Sequence, residues 1–265
     1  MSETNLPSIV FSIEDKSFSI SSQYVESIIK LDTVTKLPNE PEYIKGIVKY
    51  RDKIYRVIDL RKLLGLSSIE TKITDFTELM SSRKQDHLNW LNELENSIKN
   101  RSEFKLTTDP TKCAFGKWYY NFKTDDVGLR EYLNKFELPH SAIHNLAVKI
   151  KNLAAKNDFD SINKMIEETK NTTLKNLIDL FDHAIEFYKK SLAEFLIILQ
   201  KDNFRTAFTV DEVLKVEYLN KIDKKDISDS LFTQLNNKLI IDMAKQENGE
   251  LVVELSDEAL VTVEI

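Results

Sequence analysis

The sequence predicts an α+β chain in which one β domain is interrupted by a helical insertion. Three observations carry this. Up to about residue 70, β-branched and aromatic residues cluster in short runs, several with a period of two. From Glu70 to about Lys190, apolar residues recur every three to four positions, and no proline follows Pro139. Beyond Ser191 the β pattern returns. Neither β part is long enough to make a full barrel alone. The expected division is residues 1–70 and 191–265 as one β domain and residues 71–190 as the insert. Domains accept insertions where both junctions lie close together on the surface, and an antiparallel bundle meets that need.

Taken in order, Ile9–Ile13 and Phe18–Ser21 read as two strands around the polar turn Glu14-Asp15-Lys16. Tyr24, Val25, Ile28 and Ile29 recur at helical spacing and predict a short helix or turn, before Pro38 and Pro41 mark an extended loop. Gly46–Tyr50 and Ile54–Asp59 form a second hairpin around Arg51-Asp52-Lys53, and Leu60–Leu64 a short helix stopped by Gly65. In the insert, Phe76, Leu79, Met80, His87, Leu88, Leu91 and Leu94 lie on one helix face. Arg101 to Pro110 is a loop, and Cys113 to Phe122 a turn and short helix. Pro139 opens a helix carrying His140, Ile143, His144, Leu146, Ala147, Ile150 and Leu153. A last helix runs unbroken from about Asp158 to Ser191, about 50 Å at 1.5 Å per residue. Phe195–Leu199 is a strand, Lys201-Asp202-Asn203 a turn, and Phe204–Val210 a strand that Val213–Val216 continues. Leu239–Met243 and Leu251–Leu255 form a final hairpin with Asn248-Gly249 in its turn.

The bulk numbers exclude several classes. A hydrophobic share of 42% with 30% charged residues describes a globular chain, and a net charge of -6 without a basic cluster argues against nucleic acid. Nothing approaches the apolar run that spans a bilayer, and Met1–Pro7 lacks the basic and apolar regions of a signal peptide. The expected location is the cytoplasm. Five glycines leave no phosphate-binding loop.

The single cysteine is free, metal-bound or reactive. It sits in Lys112-Cys113-Ala114-Phe115-Gly116-Lys117-Trp118-Tyr119-Tyr120, with His87 before it and His140 and His144 after it. One thiolate and three imidazoles make a complete tetrahedral ligand set for Zn²⁺. His140 and His144, four apart, share one helix face. A His-x-x-x-His pair alone is weak evidence, and scattered polar residues of a bundle are the alternative. Asp86 is either an acceptor for a ligating imidazole N–H or a solvated helix carboxylate. His183 has no partner motif; Trp90, Phe115, Trp118 and Tyr119 are expected as packing. Four ligands leave no open position and Ser141 follows His140, so the general base of a zinc hydrolase is missing and no enzyme is expected.

Both parts resemble known families. Ile9-Val10-Phe11-Ser12-Ile13, Tyr43–Arg51, Val57-Ile58-Asp59-Leu60-Arg61-Lys62-Leu63-Leu64-Gly65 and Val210-Asp211-Glu212-Val213 resemble CheW, the bacterial chemotaxis coupling family. His87-Leu88-Asn89-Trp90, Cys113–Tyr119 and Pro139–His144 resemble the chemoreceptor zinc-binding (CZB) domain. The resemblance implies a CheW-like, SH3-like double β-barrel with a shared core, interrupted by an antiparallel CZB four-helix bundle. It implies a non-catalytic adaptor that bridges chemoreceptor (methyl-accepting chemotaxis protein) tips to the histidine kinase CheA. Arg51 falls in the family's receptor-binding region, followed by Asp52 where the family usually has glycine. The C-terminal helix of the family is expected to be short or absent. The CZB resemblance implies His87, Cys113, His140 and His144 as zinc ligands, Cys113 as a redox-reactive thiolate, a homodimer through the bundle, and sensing of hypochlorous acid or of zinc.

Overall fold

A computed structural model of the chain describes residues 6–222 and 238–262. Met1–Asn5, read above for a leader, lies outside the described residues. The chain divides into two compact units, Met1–Ser68 with Leu192–Ile265, and Ile69–Ser191.

The first unit is built of strands. Its N-terminal part holds β1 (Ser8–Ile13), β2 (Lys16–Ser21), β3 (Val25–Lys30), β4 (Ile44–Tyr50), β5 (Lys53–Ile58) and the one-turn helix α1 (Leu60–Leu63). Its C-terminal part adds β6 (Phe195–Lys201), β7 (Phe204–Val210), β8 (Glu212–Glu217), β9 (Asn220–Lys221), β10 (Ile240–Lys245), β11 (Leu251–Leu255) and a terminal helix, Asp257–Thr262. They form a six-stranded sheet in the order β8-β1-β2-β11-β10-β9 and a five-stranded sheet in the order β3-β6-β7-β5-β4. Neither order closes on itself among the described residues, so the pair of barrels is seen as two sheets. They share one core in which Phe11 meets Phe18 at 6.1 Å and Phe208 at 5.6 Å between ring centroids. Each sheet contains strands from both sides of the insert, and β2 pairs β11 and β5 pairs β7 in parallel. The two parts of this unit therefore fold as one body.

β6 explains itself. Ile197 and Leu199 point into the shared core, while Leu196 and Ile198 join Tyr55, Val57 and Ala207 on the opposite face. A strand covered on both faces is a continuous apolar run rather than an alternating one. Gly46, at φ +141°, lies so near Thr35 that an added Cβ would meet its carbonyl oxygen at 2.3 Å. Only glycine lets that loop pair back onto β4.

Two readings of this unit need correction. The stretch expected as a helix at Tyr24–Ile29 is a 3₁₀ turn, Ser22–Tyr24, followed by strand β3. Its partner β6 lies about 170 residues away, and that distant pairing overrides the local spacing. Val213–Val216 does not continue β7: the chain leaves the five-stranded sheet at Asp211 and pairs as β8 with β1 in the other. Arg61 fixes this crossing. It is 3% exposed, its Nε donates to Asp211 Oδ1 at 2.9 Å, its Nη2 reaches Oδ2, and Nη1 donates to Glu14 at 3.1 Å. The terminal helix is present, short, and buries Ala259, Leu260 and Val261.

The second unit is helical: α2 (Ile69–Lys99), α3 (Ala114–Tyr119), α4 (Val127–Leu133), α5 (Glu137–Ala154), α6 (Phe159–Thr169) and α7 (Lys175–Ser191). The expected four-helix bundle is thus six helices, because two rods change pitch. A 3₁₀ turn, Asn134–Phe136, joins α4 to α5, and a π turn, Lys170–Leu174, joins α6 to α7. In the π turn, Asn171 Nδ2 and Thr172 Oγ1 donate to the carbonyls of Glu167 and Glu168 at 2.9 and 2.6 Å. Side chains there take backbone carbonyls that the wider turn leaves open. Asp126 and Asp158 cap α4 and α6, accepting the N–H groups of Leu129 and Ser161 at 2.9 and 3.1 Å. One apolar core fills the unit, with Met80, Leu91, Ile143, Ile162, Leu177 and Phe181 nearly or fully buried. No helix among the described residues is long and apolar enough to cross a membrane.

Candidate metal centre

The helical core holds one polar cluster. His87 comes from the middle of α2, Cys113 from the residue before α3, and His140 and His144 from the first half of α5. One nitrogen or sulfur from each lies within 4.8 Å of all the others. The three histidines are 3%, 0% and 1% exposed, so this is the interior of the unit.

Backbone carbonyls set the imidazoles. His87 Nδ1 lies 2.7 Å from the Arg83 carbonyl oxygen one turn back, and His144 Nδ1 lies 3.2 Å from that of Thr107. A carbonyl can only accept, so both rings carry their proton on Nδ1 and present a bare Nε2. Those two Nε2 atoms are buried without any partner. His140 Nε2 faces Cys113 Sγ at 3.2 Å, and its Nδ1 is buried without a partner. Thr107 does double duty, since its carbonyl also accepts Trp90 Nε1–H at 2.8 Å. Around the cluster Phe115 lies 5.0 Å from His140 and 5.8 Å from His87, and Trp90 lies 5.1 Å from His144. Trp118 and Tyr119 pack on Phe115 instead of on the imidazoles.

The cysteine is placed by the turn that starts α3. Its Sγ accepts the Gly116 N–H at 3.1 Å and lies 3.4 Å from the Pro110 carbonyl oxygen. A Cβ on Gly116 would stand 1.8 Å from that same carbonyl oxygen. The glycine is therefore what lets the Pro110 turn close over the start of α3 and hold the sulfur inward.

The charge states follow from burial. Burial pushes His140 down to about 3 and His144 down to about 4, with repulsion from the neighbouring imidazoles adding to it. His87 is lowered for the same first reason, opposed by its bond to the Arg83 carbonyl. All three rings are neutral near pH 7. Burial also raises the Cys113 thiol, against the pull of the Gly116 and Phe115 N–H groups. The protein alone thus keeps sulfur protonated; a thiolate here needs a cation.

This donor set fits zinc. Zn–N bonds of about 2.0–2.1 Å and Zn–S bonds of about 2.3 Å give tetrahedral edges of about 3.3–3.6 Å. Two buried Nε2 lone pairs without a hydrogen-bond partner, beside a sulfur and a third imidazole, are what such a donor set presents to a metal ion. Residues 87–151 match the family described as the chemoreceptor zinc-binding domain, and residues 7–86 match the CheW-like domain. The chain pairs a CheW-like domain with a chemoreceptor zinc-binding domain. Zinc is the cofactor of the CZB part. The CheW-like match begins in the strand unit and runs past Ser68 into α2.

The chain is 33% identical to the chemotaxis protein CheW of Bacillus subtilis over 103 residues, which cover 38% of this chain and 65% of the Bacillus protein. It is 23% identical to the chemotaxis protein CheW of Thermotoga maritima over 124 residues, 47% of this chain and 81% of that one. Among solved structures, the scaffolding protein TtCheW of Thermoanaerobacter tengcongensis aligns with a TM-score of 0.42 at 13% identity, over 97% of this chain and 92% of that one.

The remaining candidates separate. Asp86 is not the acceptor for His87; it forms an ion pair with Arg83 Nε at 3.0 Å and is half exposed, while the Arg83 backbone takes the ring proton. His183 is exposed, with Nδ1 2.8 Å from the Asp179 carbonyl oxygen. Arg51, in the CheW-like part, occupies the β4–β5 turn at φ +52° with its side chain 71% exposed. It lies over the Tyr50 ring at 5.1 Å and 4.0 Å from Glu26. Glu26 was not legible as part of this tip. Tyr55 donates to it, and that bond together with Lys53 and Arg51 holds its carboxyl below the usual range. The carbonyls of Arg83, Thr107 and Pro110 were also missed, because a backbone acceptor leaves no signal in residue type.

Proposed function

We propose that the protein is a cytoplasmic chemotaxis adaptor whose CheW-like part couples chemoreceptor tips to the CheA kinase and whose zinc site is the sensing element. His87, Cys113, His140 and His144 are the zinc ligands. The observation that carries this is the pair of buried, unpartnered Nε2 atoms converging with Cys113 and His140 from three separate segments. When bound, zinc holds the Cys113 sulfur as thiolate. His87 and His144 supply lone pairs oriented by their backbone carbonyls, and Phe115 and Trp90 keep water from the rings.

Cys113 is the one ligand that is not fully buried, so an oxidant meets sulfur first. With hypochlorous acid the thiolate takes chlorine and hydroxide leaves, water then displaces chloride from sulfur, and the net product is a sulfenic acid. A neutral sulfenic acid would be a poorer zinc ligand than the thiolate, and Cys113 would then no longer tie the loop before α3 to the site. α2 and α7 each continue directly along the chain into the strand unit, so a change in helix packing has two covalent routes to it. Arg51, exposed on its hairpin tip, is the proposed receptor contact. A homodimer through the CZB part is the proposed assembly. Four protein ligands leave no open coordination position, which favours signalling over hydrolysis.

The test is metal analysis of the purified protein before and after hypochlorite, with Cys113→Ser alongside, and kinase output in a reconstituted receptor–CheA array. One zinc per chain, released by oxidant, with kinase output changed by oxidant only in the unsubstituted protein, is expected. Kinase output that ignores hypochlorite, chelation and Cys113→Ser alike makes the protein a constitutive scaffold with structural zinc.

A further inference from the structure

The helical unit contains a cavity of about 780 Å³ between the C-terminal halves of α2 and α5 and the loop that follows α2. Its size is that of a small-molecule site. Leu94, Ile98, Phe104, Ile150 and Phe159 supply apolar walls. Arg101 and Lys151 stand on its lining with Glu103 as the one carboxylate, leaving a net positive charge. No ion pair to Arg101 or Lys151 is formed among the described residues.

Cations near helix C-termini often serve only to satisfy the last carbonyls. Here the chain does that itself. The N–H of Ser102 bonds the Ser97 carbonyl at 2.8 Å and that of Arg101 bonds Ile98 at 3.2 Å, closing the end of α2. The N–H of Asp158 bonds Leu153 at 3.2 Å and that of Asn157 bonds Ala154 at 3.0 Å, closing α5 in the same way. In both motifs the left-handed position that glycine normally fills is taken by a larger residue, Arg101 at φ +50° and Asn157 at φ +56°. Both line the cavity. The Arg101 guanidinium lies over the Phe159 ring at 5.8 Å, where polar and apolar walls meet. Arg101 thus tolerates an unfavourable backbone to stand there, and its charge is not consumed by the helix end.

We propose that this cavity binds a small monocarboxylate with an apolar body, its carboxylate between Arg101 and Lys151 and its chain against Phe104 and Ile150. The ligand would bear on the metal centre through one loop. Phe104, on the cavity wall, packs edge-on against Trp90 at 5.0 Å, and Thr107, three residues on, holds both Trp90 and His144 through its carbonyl. That link rests on the zinc reading; binding itself does not.

Decanoate titrated calorimetrically into the full-length protein as purified tests the site, with decanol as the uncharged control. Saturable one-to-one binding is expected, weaker by tenfold or more for decanol and for the exposed double variant Arg101→Ala/Lys151→Ala. It should be abolished by Ala154→Trp, which places an indole in the mouth. No saturable binding, equal affinity for decanol, or binding unchanged in both variants overturns the proposal. A protein that binds decanoate but carries no zinc leaves this site standing and refutes the metal reading instead.

Discussion

Replacing Gly116 by alanine perturbs the metal centre without touching any ligand. The new Cβ would lie 1.8 Å from the Pro110 carbonyl oxygen and 2.9 Å from its carbon, against a practical limit of 3.0 Å. The turn and the start of α3 must therefore separate by about 1.2 Å. Both obstacles are backbone, so no rotamer change relieves them. The same movement pulls on Cys113, whose Sγ is held by Gly116 N–H at 3.1 Å and lies against Pro110 at 3.4 Å. Metal bonds tolerate about 0.2 Å, so a shift of this size detaches the sulfur or strains it. A disturbed supporting shell alone costs roughly 10–100-fold in affinity; with a ligand displaced the loss should be at least 100-fold, about 3 kcal/mol. The assay is competition for zinc against a chromophoric chelator, with thermal melting in parallel and Lys117→Ala, an exposed neighbour on the same helix, as the control. Gly116→Ala protein that holds zinc as tightly as the control, and melts with it, would refute the claim that this glycine seats the sulfur.

Three further outcomes are expected. Trp90→Phe keeps an aromatic ring but, with the smaller phenyl, loses the donor to the Thr107 carbonyl, so His144 is held less firmly and zinc affinity should fall about tenfold in the same competition assay. Arg61→Ala removes the buried partner of Asp211 and Glu14 at the sheet crossing; allowing for the partly exposed carboxylates, chemical denaturation should show a loss of about 3 kcal/mol, with zinc content unchanged. In zinc-free protein the imidazoles of His140 and His144 titrate at about 3 and 4 when folded, below their ordinary value near 6.5, so the unfolded chain binds more protons. Stability is then fully present above about pH 6.5 and should decline as pH falls toward 4, measured by denaturant midpoint; a flat profile there would contradict burial of the rings.

The donor cluster was legible because it is made of rare side chains. One cysteine and three of four histidines leave few alternatives, and the glycine three residues after the cysteine is explained by the closeness of Pro110. What orients those side chains was hidden, since Arg83 and Thr107 act through carbonyls that every residue possesses. In the strand unit, hairpins such as β1–β2 and β10–β11 could be read from turn residues and alternation. β3 and β8 could not. Each takes its partner from the other side of the insert, so nothing within a local window records the pairing. The pitch changes that split the helical rods went unread, although Asn171-Thr172-Thr173 is a run of weak helix formers whose side chains take backbone carbonyls in the π turn.

The chemistry of Cys113 constrains how such a centre could sense anything. Burial raises its thiol, so in the absence of a cation the sulfur is protonated and a poor nucleophile near neutral pH. Bound metal reverses this by stabilising the thiolate, which is also what makes the sulfur oxidisable. The three imidazoles offer no comparable reaction, and they are sealed by Phe115 and Trp90 while the sulfur is half-exposed. In the sensing function proposed above, metal occupancy and oxidant sensitivity are therefore linked. Without a cation the raised thiol would stay protonated, so that function requires zinc at Cys113 for the sulfur to be held as thiolate.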